Sequence, residues 1–165
     1  MQILITLLLA VMMMAGLFLM LLAAVGFIQD KRLFTSAPED VQAVILPKEE
    51  RFPGAHAVGW GMMALALAMM GGAFVLGGAD GIKNGFTFWE FFARFLTMLL
   101  HLKAYDILFF DLYLLCHSGF FPYFYPETKD HVGPHQFGFN WKSHLIQSAL
   151  CPVVSAVSAW ICLFF

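Results

Sequence analysis

Charged residues are scarce in this sequence. They make up 12% of the 165 residues, whereas hydrophobic residues make up 61%. Ordinary soluble domains contain roughly 25% charged and about 45–50% apolar residues. A chain of this length cannot bury so much apolar surface away from water. The composition therefore excludes an ordinary soluble domain and predicts a membrane protein.

A basic surplus and paired cysteines are also lacking. The chain has nine lysines and arginines against eleven acidic residues. This balance argues against a nucleic-acid partner, because such partners are bound through basic surfaces. Cys116, Cys151 and Cys162 form no CxxC pair, which argues against a disulfide framework and a structural zinc site. No G-x-S-x-G nucleophile motif is present.

Long apolar runs are what the sequence does contain. A hydrocarbon core about 30 Å thick requires about 20 apolar residues of helix. The spans that we predict are residues 3–28, 58–77, 95–117 and 144–165. They predict an all-α fold, a polytopic four-transmembrane-helix bundle that forms a single domain over residues 1–165. The first run is far longer than a signal-peptide core, so we expect a retained helix.

The third span is the least regular. As one helix, residues 86–117 would extend for roughly 50 Å, which is too long for one simple crossing. We therefore place Trp89, Glu90 and Arg94 at headgroup depth, with Glu90 and Arg94 as a surface ion pair, and begin the crossing at Phe95. A break within the helix is the alternative.

The positive charges predict an orientation. Most lie between the first two spans (loop one) or between the last two (loop three). They are Lys31, Arg32, Lys48 and Arg51 in loop one, and Lys129 and Lys142 in loop three. The positive-inside rule places both loops in the cytoplasm and both termini outside.

Both loops are expected to be structured. In loop one, Ser36 is a candidate N-cap and Pro47 a stop for a short interfacial helix. Loop three is rich in aromatic residues and prolines, so we expect it to fold back against the mouth of the bundle.

Two stripes of small residues predict helix packing seams, because small side chains let membrane helices approach closely. The stripes are Ala64, Ala68 and Gly72 in the second span, and Cys151, Ser155 and Ala159 in the last.

The candidate catalytic residues lie on the third span. Asp106, Asp111 and His117 are ionisable groups, and a charge at the bilayer centre costs about 2.5–3.5 kcal/mol on insertion scales. We expect Asp106 to face protein, with Lys103 or a loop-three group as its partner. The two aspartates are five residues apart, about 140° around an α-helix, so they do not converge by themselves.

Candidate metal ligands lie in and after loop three. His131, His135 and His144, together with the carboxylates of the third span, would suit zinc or non-haem iron. Gly133 and Pro134 separate the first two histidines, so a helical His-x3-His site is not expected.

Two functions remain open. In the first, the polar groups are structural or dock a partner membrane protein or a second copy, and the chain is an accessory membrane subunit. The alternative is a membrane-embedded enzyme, in one form metal-dependent, that acts on a lipid-like or small substrate. Membrane lipid is a partner in both.

Overall fold

The computed structural model describes residues 2–34, 37–46 and 48–165, and these residues form helices and connecting turns without any β-strand. Six α-helices follow one another along the chain. They are α1 (Gln2–Leu22), α2 (Glu39–Val44), α3 (Ala55–Lys83), α4 (Phe88–Tyr105), α5 (Phe120–Phe124) and α6 (Trp141–Cys162). Two π-helical segments, Ala23–Ile28 and Asp106–Leu115, extend α1 and α4 without a break.

Three of the helices are long and apolar enough to cross a membrane. They are Gln2–Ile28, Ala55–Lys83 and Trp141–Cys162. The second is longer than the predicted span 58–77. The helix from Phe88 to Leu115 is not among the three, and its α-helical part carries Glu90, Arg94 and Lys103.

The long helices alternate in direction. α1 packs mainly on α3 and α4, and α4 packs on α6. Arg94, near the start of α4, contacts both Gln2 at the start of α1 and Asp80 near the end of α3. His144, near the start of α6, contacts Asp111 near the end of the helix that runs from Phe88 to Leu115. One end of the molecule therefore holds both chain termini, and the other, the loop end, holds loops one and three.

The seam on α3 differs from the predicted one. Ala64 and Ala68 are exposed, whereas Gly59, Ala66 and Ala73 are buried. The buried residues recur every seven positions, the spacing that keeps one face against a neighbouring helix at a shallow crossing angle. The prediction followed a four-residue spacing and selected a different face. The α6 seam of Cys151, Ser155 and Ala159 is buried and confirmed.

The prediction of a surface ion pair between Glu90 and Arg94 is wrong. Arg94 is buried, pairs with Asp80 at 2.8 Å and donates to the side chain of Gln2. Glu90 instead accepts hydrogen bonds of 2.8 Å from the backbone N–H and the hydroxyl of Thr87. This capping box satisfies the start of α4, and the arginine ties three helices together.

Both loops pack at the loop end. Loop three folds back as predicted, with Phe121 and Tyr125 buried against Phe34, Val41 and Leu114. The predicted short helix of loop one is present as α2. Its predicted cap Ser36 and stop Pro47 lie outside the described residues.

Candidate functional site

A charged cluster joins the helix from Phe88 to Leu115 to α6 near the loop end. The ammonium of Lys103 lies 2.6 Å from Oδ2 of Asp106 and also donates to the side-chain oxygen of Gln147. Nε2 of His144 contacts Oδ2 of Asp111, and Nδ1 of His144 lies 3.7 Å from Oδ2 of Asp106. The predicted Lys103–Asp106 contact is confirmed. Lys103 and His144 are buried.

The π-helix explains how two distant aspartates reach one histidine. Hydrogen bonds in a π-helix join residues i and i+5, so residues five apart lie above one another. Asp106 and Asp111 have this spacing and both lie in the π-helical segment. Our expectation that they diverge by 140° assumed α-helical winding and is wrong. Wider winding directs both carboxylates to His144 on α6.

The charges of this cluster are nearly balanced. Lys103 offsets one of the two carboxylates, and a protonated His144 would offset the other. A neutral His144 leaves one net negative charge inside the protein. Buried ion pairs are tolerated when geometry and further hydrogen bonds compensate the loss of water.

A cavity of about 150 Å³ lies beside the cluster. Residues of α1 and α4, each with its π-helical extension, and of α6 line it, and loops one and three complete the wall through Pro38 and Phe139. Its polar residues are Asp106, Asp111, Asn140, His144 and Gln147. At roughly 30 Å³ per molecule the space would hold about five waters, or one small organic group.

His144 has an unsatisfied atom at this cavity. Among the described residues, its buried Nδ1 makes no hydrogen bond, although the Asp106 carboxylate is 3.7 Å away. Buried polar atoms are nearly always paired with protein or water, so this atom is available to a water or to another small molecule in the cavity.

The other predicted site residues lie elsewhere. His117 is exposed, and its Nδ1 lies 2.6 Å from the carbonyl of Leu112. His131 lies 3.9 Å from a carboxylate oxygen of Asp40 in α2. His135 is exposed. The structure thus brings Asp106, Asp111 and His144 together, and separates them from the remaining candidates.

The histidines of loop three do not join His144 in one ligand set. Within the described ranges, no group of three or more histidine, cysteine and acidic side chains has an arrangement that could hold a metal ion. Zinc or non-haem iron stays a prediction, which metal analysis of the purified protein would test.

Two members of the site were not selected from the sequence. Gln147 and Asn140 are ordinary polar residues near the start of α6. The available signal for Gln147 is its position three residues after His144, which places both on one helix face. Asn140, at the end of loop three, lines the same cavity as Asp111.

One ion pair and one hydrogen bond, both made by Lys48, join loop one to loop three. Lys48 of loop one donates to the carbonyl of Phe124 at 2.7 Å and lies 3.4 Å from Glu127. Burial acts to raise the pKa of Glu127, but hydrogen bonds from backbone N–H groups and the charge of Lys48 outweigh it and hold that pKa below its usual range. Burial, with the nearby Glu127 charge, raises the pKa of the Tyr125 phenol.

Comparison with protein-family models, with curated proteins and with solved structures finds no match for this chain.

Proposed function

We propose that this chain is an integral membrane enzyme with four crossings, whose embedded polar site performs acid–base chemistry on a small or lipid-like substrate. Three helices suit a membrane by length and composition. In the helix from Phe88 to Leu115, Arg94, Lys103 and Asp111 each have a partner of opposite or ionisable character. These partners offset much of the cost of placing the charges in a bilayer. The four-transmembrane-helix arrangement is supported by the alternating directions of the helices.

The orientation that we propose has both termini outside and loops one and three in the cytoplasm. It rests on the excess of lysine and arginine in the two loops. Reporter fusions at each terminus test it. Both should be reached from outside the cell, and a cytoplasmic signal from either would contradict the orientation.

The observation that carries the enzyme proposal is His144, buried between two carboxylates on the wall of a cavity. In this proposal Asp111 orients the imidazole and stabilises its positive charge. His144 then takes a proton from the substrate, or gives one to it, through Nδ1, which makes no hydrogen bond within the described part of the chain. General acid–base groups contribute typically about 10²–10⁴-fold to a rate.

The experiment compares cells that express the wild type, Asp111→Asn or His144→Gln, by mass spectrometry of all extractable lipids and small metabolites. The matched control is His101→Gln, because His101 is exposed and its Nδ1 contacts the carbonyl of Thr97 in its own helix. The level of the same compound should change in cells that express the wild type or the control. It should not change in cells that express either site variant. Identical profiles in all strains, with all proteins present at equal amounts, would refute the proposal.

A second candidate function is supported by the outer face of α3. Gly61, Ala64, Ala68 and Gly71 are exposed, and an added Cβ at either glycine would meet nothing within 4 Å. Small residues on a lipid-facing helix favour close association with another helix. This supports an accessory subunit that docks a partner membrane protein or a second copy. Ala68→Leu should then weaken an assembly seen by cross-linking in native membranes, and unchanged assembly would oppose docking through this face.

A further inference from the structure

A second cavity meets the polar cluster from the bilayer side. It is a groove of about 400 Å³ between α1, α4 and α6. Its apolar walls include Leu17, Leu99, Leu150 and Val154. Ligand pockets typically enclose about 300–1,000 Å³, so the groove has the size of a site rather than of a packing defect.

The groove and the loop-end cavity share two residues. Asp106 and Gln147 line both, and Lys103 lines the groove. From this polar end the groove follows α4 back to Leu99 and α6 forward to Val154. Seven residues of helix correspond to about 10 Å. The groove is therefore polar at the end near the loops and apolar toward the middle of the helices.

The polar end of the groove lies within the length of the helices and not at their ends. Gln147 follows the start of α6 by six residues, which is about 9 Å at the helical rise. Gln147 is nevertheless exposed. The protein itself satisfies part of this amide, since its oxygen accepts from Lys103 and its nitrogen donates to Oγ of Ser143 at 3.1 Å. An amphiphilic ligand would place a polar head, rather than an acyl chain, beside this exposed polar end.

Hydrogen-bonding capacity left over in the cluster defines the head of that ligand. The contacts of both carboxylates use Oδ2, which leaves Oδ1 of Asp106 and of Asp111 as acceptors among the described residues. Lys103 uses two of its three donors. The site therefore offers acceptors and one donor together.

A hydroxyl matches this set, because it has one donor and two acceptor lone pairs. A cationic head would meet the charge of Lys103, and an anionic head would meet two carboxylates. A neutral head also loses less on leaving water than an ion does. The remaining length of the groove accepts an apolar chain.

We infer that the substrate of the proposed active site is a lipid alcohol, which enters sideways from the bilayer with its chain between α4 and α6 and its hydroxyl at Asp106. That this ligand is a substrate rests on the proposed function. The binding itself does not depend on turnover.

The test uses hexadecanol with a photoreactive diazirine in the chain and a terminal alkyne for detection. Matched hexadecanoic acid and hexadecylamine probes have the same chain. The purified full chain, reconstituted in phosphatidylcholine vesicles, is illuminated with each probe. The alcohol should label peptides of α4 and α6, with about tenfold more labelling than either ionic probe, since one hydrogen bond to a charged group changes affinity by about that factor. Unlabelled hexadecanol should compete.

Two neighbouring substitutions provide the control. Val154→Trp fills the groove, whereas Val153→Trp lies about 100° away around the same helix and outside the groove. Both valines are exposed to the surroundings of α6, so neither change disturbs the core. Labelling should fall about tenfold only in Val154→Trp. Equal labelling by the three probes, or equal labelling of the two variants, would overturn the inference.

The outcome also separates this inference from the proposed function. His144→Gln should retain the label while losing turnover, because His144 is not among the residues that line the groove. Groove labelling by the alcohol without any turnover by the wild type would support the ligand class and refute the enzyme. Turnover without groove labelling would refute the ligand class alone.

Discussion

Replacing Lys103 by methionine should destabilise the protein, because the carboxylate of Asp106 would lose its nearest positive charge. The two groups are 2.6 Å apart, and the lysine side chain is 10% exposed. Methionine has a similar length, so the change removes charge and hydrogen bonds with little change in volume. Gln147 also loses its donor.

The expected loss follows from the burial of the pair. Removing one partner of a fully buried pair costs about 3–5 kcal/mol, since the other charge is left unpaired. The side chain of Asp106 is 27% exposed, so solvent screens part of the charge that is left unpaired. We therefore expect the lower end, about 3 kcal/mol. The double variant with Asp106→Asn should recover about 2 kcal/mol of this loss, within the usual range of coupling between contacting residues.

The free energy of unfolding is measured by titrating SDS into mixed micelles at neutral pH. Lys83→Met is the control, since Lys83 is an exposed lysine at the end of α3, and it should change stability by less than about 0.5 kcal/mol. If Lys103→Met behaved like this control, or if the double variant lost the sum of both single losses, the charge-pair argument would be refuted.

Two further predictions concern packing and pH. Gly81→Ala should lower the free energy of unfolding by about 1–3 kcal/mol in the same titration, because its Cβ would lie 2.2 Å from the ring of Phe91. Gly71→Ala meets nothing within 4 Å and should be neutral, and equal losses in the two variants would contradict the close packing of Gly81 on Phe91. The pKa of Glu127 is lower in the folded state than its ordinary value of 4.5, so its stabilisation is present above that value and is lost as the pH falls through the folded pKa. Limited proteolysis of loop three should rise only in that acidic range, and Glu127→Gln should remove this pH dependence; an unchanged pH profile in the variant would contradict it.

The apolar runs predicted the long helices well. Residues 3–28 and 144–165 are close to Gln2–Ile28 and Trp141–Cys162, because about 20 consecutive apolar residues leave few alternatives to a helix in a membrane. The aromatic loop was likewise expected to fold back. Two of its rings, Phe121 and Tyr125, are buried in the core at the loop end, whereas Tyr123 and Phe137 are exposed.

The site was predicted only in part, because winding is a tertiary property. Asp106 and Asp111 were selected from the cost of charge in lipid, but their convergence on His144 depends on a π-helix. No local sequence signal distinguishes such a segment from an α-helix. Arg94 was misassigned for a similar reason, since its partner Asp80 is on another helix.

The central claim is that Asp111 and His144 form an acid–base site within the membrane. The most direct measurement reconstitutes the purified chain in vesicles made from a total lipid extract and follows every component by mass spectrometry over time. The wild type should convert at least one component, and Asp111→Asn should slow that conversion by about 100-fold or more. No conversion by the wild type, or conversion at the same rate by Asp111→Asn, would contradict the account.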